Sequence, residues 1–272
     1  MRYTALSALA LSIVLTACGD QADPEGPAQP DFIVNGTPTG NAYSNVGALL
    51  FDFDQNGIIN GNDLLCTGSL IAPTVFLTAA HCVSFFPPSA NLYVSFSPGL
   101  YGNITYAAAT GFVFDPLFGH DQANYHDLGL VFIPASASAG ITPLNLPPAG
   151  FLDQLTAKGK ASKLLFVNVG YGSGATPTGP PSFPYDGLRK SSKSEFMALQ
   201  PTWLGLLMNT SATGEGGDCF GDSGGPKFVD GNTRMIVATV TVGDIPCRAT
   251  SWDWRLDTPD ARAFLGQYVS LP

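Results

Sequence analysis

Positive charge is scarce in this chain and nowhere gathered. Only 12 of its 272 residues are Lys or Arg, against 21 Asp or Glu, for a formal net charge of −9. Holding phosphates takes clustered cations, so a nucleic-acid partner is argued against. The acidity suits solubility in an exposed environment. No basic run appears, and no internal repeat is visible. The apolar run Ala5 to Leu15 is shorter than the ~20 residues a membrane span needs. Histidine is rare as well: His81, His120 and His126 are all there are. Around His120 and His126 no metal-ligand spacing is convincing, which argues against metal catalysis there.

What is present points to sheet. Gly (31) and Pro (22) are high for a helical protein and suit short strands joined by turns. With 45% apolar residues and only 12% charged, a substantial core is available. The expected strands are Val46–Phe53, Leu64–Ile71, Val75–Leu77, Leu92–Phe96, Ile104–Phe114 and Leu128–Ile133. A second set is Ala161–Val169, Ser192–Leu199, Leu204–Met208, Pro226–Val229, Met235–Val242 and Ser251–Leu256, beyond a Pro-rich divide at Pro143–Pro148. The fold class is therefore all-β: two antiparallel six-stranded barrels, over about 33–145 and 146–257. A C-terminal α-helix is expected over 258–269, with Thr258 as N-cap, Pro259 in the first turn and Asp260 against the helix dipole.

The segment Gly221-Asp222-Ser223-Gly224-Gly225-Pro226 carries the chemistry. It sets a hydroxyl in a glycine-flanked turn, where a serine can act as nucleophile and nearby amides can receive an oxyanion. A serine nucleophile needs a base, and the base an orienting acid. Only His81 lies in an apolar, small-residue setting, Val75-Phe76-Leu77-Thr78-Ala79-Ala80-His81-Cys82. The acid is Asp127, opening the apolar run Leu128-Gly129-Leu130-Val131-Phe132. His126, beside it, reads as a rim residue rather than the base.

Leu77-Thr78-Ala79-Ala80-His81-Cys82, Asp127-Leu128-Gly129-Leu130 and Gly221-Asp222-Ser223-Gly224-Gly225-Pro226 together resemble the trypsin/chymotrypsin-like serine proteases, in the same chain order of His, Asp and Ser. Cys66-Thr67-Gly68-Ser69-Leu70-Ile71 and Ile33-Val34-Asn35-Gly36 extend the resemblance from about Ile33 to the C-terminus. It implies Ser223 as nucleophile, His81 as base and then acid, Asp127 as the group fixing the imidazole, and the N–H groups of Gly221 and Ser223 as oxyanion hole. It implies the active site in the cleft between two barrels, and a serine endopeptidase acting on protein or peptide substrates; the leader described below makes it an exported one, and a monomer is expected. A non-catalytic cell-surface binding lipoprotein on the same fold, or an esterase, is the alternative reading. If His81 is the base, activity should fall as pH drops through the imidazole range.

Residues 1–17 read as a signal peptide, and Leu15-Thr16-Ala17-Cys18 resembles a bacterial lipobox, which implies lipid on Cys18 and a cell-envelope lipoprotein. Residues 18–32 read as an acidic, Pro-rich tether, ahead of a protease domain over 33–272. Lipidation leaves four cysteines of five, with three possible pairings. The family resemblance implies Cys66–Cys82 and Cys219–Cys247.

The resemblance also implies activation: an ammonium freed at Ile33 would pair with Asp222. Phe32 precedes it where trypsin-cleaved zymogens carry Arg or Lys, which leaves the activating enzyme open; cleavage there would also release the protease from its anchor, and the rival reading is a tethered chain active without a free Ile33. The pocket would comprise Gly217, Asp218, Thr241, Val242 and Gly243. Asp218 either points in and favours Arg or Lys in the substrate, or faces away and leaves an apolar pocket. Thr241 is also placed to bond Asp127. Asp52, Asp54, Asn56 and Asp63 have the ligand spacing of an EF-hand calcium loop, but Asp63 stands where Glu is usual and strands flank it. An Asn-Gly-rich hairpin is the preferred reading and calcium the weaker one; no other cofactor is expected.

Overall fold

The computed structural model describes residues 33–157, 164–176 and 178–272. The expected leader, Cys18 and the tether through Phe32 lie outside the described residues, as do positions 161–163 of the strand expected from Ala161.

The first sheet is built from β2 (Val46–Phe51), β3 (Leu64–Ala72), β4 (Val75–Thr78), β5 (Leu92–Ser95), β6 (Tyr106–Ala108), β7 (Gly111–Phe114) and β8 (Gly129–Phe132). Its order is β6-β5-β2-β3-β4-β8-β7, with antiparallel neighbours throughout. This sheet has seven strands where six were expected, because the run Ile104–Phe114 is two strands. At Ala109 the chain still donates its N–H to Leu92, whereas at Thr110 it donates to Phe132. The chain thus turns a corner from one end of a curled sheet to the other, and no ladder joins β6 to β7.

The second sheet closes. β9 (Leu165–Gly170), β10 (Lys190–Leu199), β11 (Trp203–Leu207), β14 (Thr250–Arg255), β13 (Asn232–Gly243) and β12 (Pro226–Val229) form a six-stranded antiparallel barrel, with β9 pairing both β12 and β10. A short β1 (Thr37–Pro38) adds to β10. Along β10 the burial alternates, placing Lys190, Ser192 and Ser194 inside. That period of two is what a barrel strand requires, but the inward residues are polar.

One apolar cluster joins both sheets: Val46, Leu77 and Leu130 from the first touch the group holding Val167, Phe228 and Trp254 from the second. The C-terminal helix Pro259–Leu265 contributes Ala261, Phe264 and Leu265 to it. Each such side chain removed from water contributes roughly 1.5–3 kcal/mol. As expected, Thr258 caps this helix, its hydroxyl accepting from Ala261 N (3.3 Å). The helix Phe151–Thr156 had no sequence expectation; it starts at Gly150 in the left-handed region (φ 64°). No described helix is long and apolar enough to cross a membrane.

Candidate active site

Strand pairing brings His81 and Asp127 together. β4 pairs β8 with Thr78 opposite Gly129, so the residues just beyond β4 and just before β8 share one end of the first sheet. A single 3-10 turn, Ala80–Cys82, presents His81 there. Asp127 is wholly buried and both its oxygens serve His81: Oδ1 accepts the backbone N–H (2.9 Å), and Oδ2 lies 2.8 Å from Nδ1. A carboxylate in that position accepts a hydrogen bond from Nδ1–H and so holds the proton on that nitrogen, leaving Nε2 as the acceptor on a side chain that is 31% exposed.

The serine comes from the second sheet. Ser223 precedes β12 in a turn that contains two left-handed glycines, Gly221 (φ 97°) and Gly224 (φ 75°). A Cβ on Gly224 would overlap Thr78 Oγ1 and lie 2.6 Å from Ala79 N, so only glycine lets this turn approach the His81 strand. Thr67 of β3 fastens the turn from the other sheet. Its N–H donates to Ser223 O (2.9 Å) and its hydroxyl to Gly221 O (2.9 Å), while Thr78 Oγ1 donates to Thr67 O (2.9 Å). Among the described residues, the N–H groups of Gly221 and Ser223 have no hydrogen-bond partner. His81, Ser223 and Gly221 line one cleft of about 670 Å³, together with Leu64, Leu65, Tyr185 and Phe220.

Both disulfides form as paired above. Cys66–Cys82 ties β3 to the His81 turn, and Cys219–Cys247 joins the segment before Ser223 to the loop after β13.

A second cavity, about 170 Å³, lies beside Ser223 and is lined by Asp218, Val240, Thr241, Val242, Gly243 and Asp244 among others. Gly217 does not line it. Its N–H donates to Val34 O (3.0 Å), and a Cβ there would run into Met208, so it sits behind the wall. Asp218 lines the cavity but turns its carboxylate to Lys227 and to Ser251 Oγ (2.9 Å). Thr241 does not bond Asp127; its hydroxyl donates to Thr239 O (3.4 Å), and both Asp127 oxygens accept from His81.

Asp222 is buried, and its oxygens accept N–H from Gly172 (2.8 Å) and Cys219 (2.9 Å). Among the described residues no ion pair holds it, and burial pushes its carboxyl up to about 7, against the pull of those two N–H groups. The expected partner, Ile33, is itself buried, and its neighbour Val34 packs with Cys219 and Cys247. Ile33 itself has φ 38°, a strained value for a β-branched residue.

His126 is not a rim residue. It is buried, also in the left-handed region (φ 57°), with Nδ1 2.9 Å from Asp115 Oδ2 and its ring against Trp254. The loop between the paired strands β2 and β3 brings the carboxylates of Asp52, Asp54 and Asp63 within 4.8 Å of one another. Asn56 N–H and Gly57 N–H already donate to Asp52, and Asn60 N–H to Asp63.

Sequence reasoning missed Thr67 as the clamp, Gly170 and Gly172 as the glycines that leave room for the Asp222 carboxylate, and Lys227 beneath the cavity. Gly170-Tyr171-Gly172 directly after an apolar run was a readable signal of close approach; nothing in the sequence singled out Lys227.

Residues 53–252 match the Trypsin family. The chain belongs to that family. Its fold is similar to an atomic-resolution structure of HBP (TM-score 0.63, 18% identity, covering 88% of this chain and 98% of that one). HL collagenase is similar at TM-score 0.61 and 20% identity (86% and 97%). A mutant of human heparin binding protein is similar at TM-score 0.61 and 19% identity (88% and 99%). No curated protein sequence matches the chain. The trypsin-family membership and the two bridges support a serine peptidase of trypsin-like fold.

Proposed function

We propose that this chain is an exported serine endopeptidase with Ser223, His81 and Asp127 as its triad. The observation that carries the reading is the cleft shared by His81 and Ser223, with His81 held through Nδ1 by a buried Asp127. In the proposed reaction Ser223 Oγ bonds to the scissile carbonyl carbon while its proton passes to His81 Nε2. The carbonyl oxygen becomes an oxyanion between the N–H groups of Gly221 and Ser223. The C–N bond then breaks, and the amine leaves with the proton from His81. Water, deprotonated by His81, attacks the acyl-enzyme; the acid departs and Ser223 recovers its proton. Losing one oxyanion donor typically costs ~10²–10³ in rate.

A fluorophosphonate probe tests this. It should label the wild type at Ser223 and leave Ser223→Ala unlabelled. Failure to label protein that begins at Ile33 would favour the binding-protein reading. Matched peptide and ester substrates separate a peptidase from an esterase. Heparin, which one structural neighbour is named for binding, is a poor ligand for this chain: a net charge of −9 repels a polyanion.

Activation is proposed to free the Ile33 ammonium, which would give the buried Asp222 the cation it lacks. Export is supported by the two disulfides, which persist in oxidising compartments. Anchoring by lipid at Cys18 until Phe32–Ile33 is cut completes the proposal; fatty-acid labelling lost in Cys18→Ala tests the anchor.

A further inference from the structure

Beneath the 170 Å³ cavity beside Ser223 lies a lysine with no exposure at all. Lys227 follows Pro226 in β12, and its side chain enters the barrel interior. Its ammonium donates to Asp218 Oδ1 and to Asn168 Oδ1 (2.6 Å), and lies 3.5 Å from Asp253 Oδ1. Asn168 is oriented in turn by giving its amide hydrogens to Ser192 Oγ (3.0 Å) and Ser194 Oγ (2.8 Å), the inward polar residues of β10. Ser251 Oγ is 2.9 Å from Asp218 Oδ2 and 2.8 Å from Asp253 Oδ1. Burial pushes the Asp253 carboxyl up to about 8, and its Oδ2 has no partner among the described residues. The attraction of Asp218 and Asp253 outweighs the burial that alone would lower the Lys227 pKa, so the ammonium stays charged.

Two carboxylates border the cavity, and neither is free. Both oxygens of Asp218 are engaged by Lys227 and Ser251. Asp244 accepts N–H from Ala249 (2.8 Å) and Thr250 (2.8 Å) on Oδ1 and from Arg248 (2.9 Å) on Oδ2. A guanidinium or ammonium entering here would shed its water to meet Asp218 already neutralised by Lys227 and Asp244 with its oxygens taken by three backbone N–H groups, which is unfavourable. Val240 and Val242 offer apolar wall instead.

We propose that Lys227 determines specificity, by neutralising Asp218 from below so that the cavity accepts an uncharged, apolar side chain just before the scissile bond rather than Arg or Lys. The proposal rests on the serine-peptidase reading of the same cleft. It goes beyond that reading by making a residue that never touches substrate the one that sets substrate class. Removing the lysine would release an acidic group at the cavity wall and convert the preference.

The test uses peptide substrates identical except for Leu, Phe, Arg or Lys before the cleaved bond, with fluorophosphonate labelling run in parallel on protein beginning at Ile33. Wild type should label and should cleave after Leu or Phe in preference to Arg or Lys. Lys227→Met at pH 8.5 should still label, with kcat/KM for Arg relative to Leu raised ~10–100-fold, the worth of a charge-assisted hydrogen bond. Should Lys227→Met not fold, Asp218→Asn decides: the apolar preference should persist, because the Asp218 charge is not read by substrate. Wild type that labels and prefers Arg or Lys overturns the proposal, as does a selective tenfold loss of Arg cleavage in Asp218→Asn. An unchanged Arg-to-Leu ratio in folded Lys227→Met also overturns it. Wild type that neither labels nor cleaves any substrate overturns the peptidase reading instead.

Discussion

If cleavage before Ile33 activates the chain as proposed, the buried Asp222 gives the uncleaved form a pH dependence that cleavage should remove. Its carboxyl has 1% exposure and is pushed by burial from an ordinary 3.8 to about 7. An acid whose folded pKa lies above its unfolded one holds its proton more tightly when folded. Its stabilising contribution is therefore complete below about pH 4 and is lost as pH rises through about 7. About three pH units at ~1.4 kcal/mol each amount to a loss on the order of 4 kcal/mol. If the freed Ile33 ammonium pairs with Asp222, the carboxylate becomes the favoured form and that loss disappears. The assay is urea unfolding at pH 5, 6.5 and 8 on two Ser223→Ala proteins, one retaining the segment before Ile33 and one beginning at it. Asp253, raised to about 8, weakens both forms alike as pH rises and cancels in the difference. The unprocessed form should lose stability toward pH 8 relative to the processed form by a few kcal/mol. Parallel curves would refute the activation argument, since the new terminus would then not be reaching Asp222.

Three further outcomes follow from the geometry. Gly224→Ala should abolish labelling and lower the unfolding midpoint sharply: φ 75° is strained for alanine, and its Cβ would collide with Thr78 and Ala79. Thr67→Val keeps the volume but removes the hydroxyl that bonds Gly221 O and accepts from Tyr171 N (3.2 Å), so it should cost about 1–3 kcal/mol in urea unfolding and slow labelling. The 52–63 loop already satisfies Asp52 and Asp63 by its own N–H groups, so calcium or EDTA should move the thermal midpoint by less than about 2 °C. A larger calcium-dependent rise, lost in Asp52→Asn, would establish a cation site there.

Much of the architecture was legible because strand periodicity and turn residues are local. Pro226–Val229 is observed with the bounds expected from sequence, and Leu64–Ile71 is one residue short. The corner at Ala109–Thr110 was not legible, since an apolar run does not record that its hydrogen-bond partner changes from Leu92 to Phe132. His81 and Asp127 could be read because each borders a strand, and the register of β4 on β8 does the rest. The cavity was misread at Gly217 and left open at Asp218 for one reason. A motif gives the order of residues along the chain, whereas the direction of the Asp218 carboxylate depends on Lys227, Ser251 and Asp253, on other turns of the barrel.

The joint between the sheets is where the proposed chemistry is most vulnerable. His81 and Asp127 belong wholly to the first sheet, and their two hydrogen bonds need nothing from the second. Ser223 belongs to the second, anchored by Gly224 N–H on Val240 O (2.8 Å) and Val240 N–H on Gly225 O (2.9 Å). The distance from Ser223 to His81 is thus set by whatever locks one sheet to the other near this turn. Thr67 does so from β3, bonding the chain on both sides of Asp222 and being bonded in turn by Thr78, three residues before His81. A misplacement of about 1 Å between reacting groups can cost ~10²-fold in rate. A change at Thr67 should therefore lower kcat more than its effect on stability alone implies, while the His81–Asp127 pair stays intact. If labelling by the fluorophosphonate fell only in proportion to the unfolded fraction, the sheets would be held in register by the shared apolar core instead.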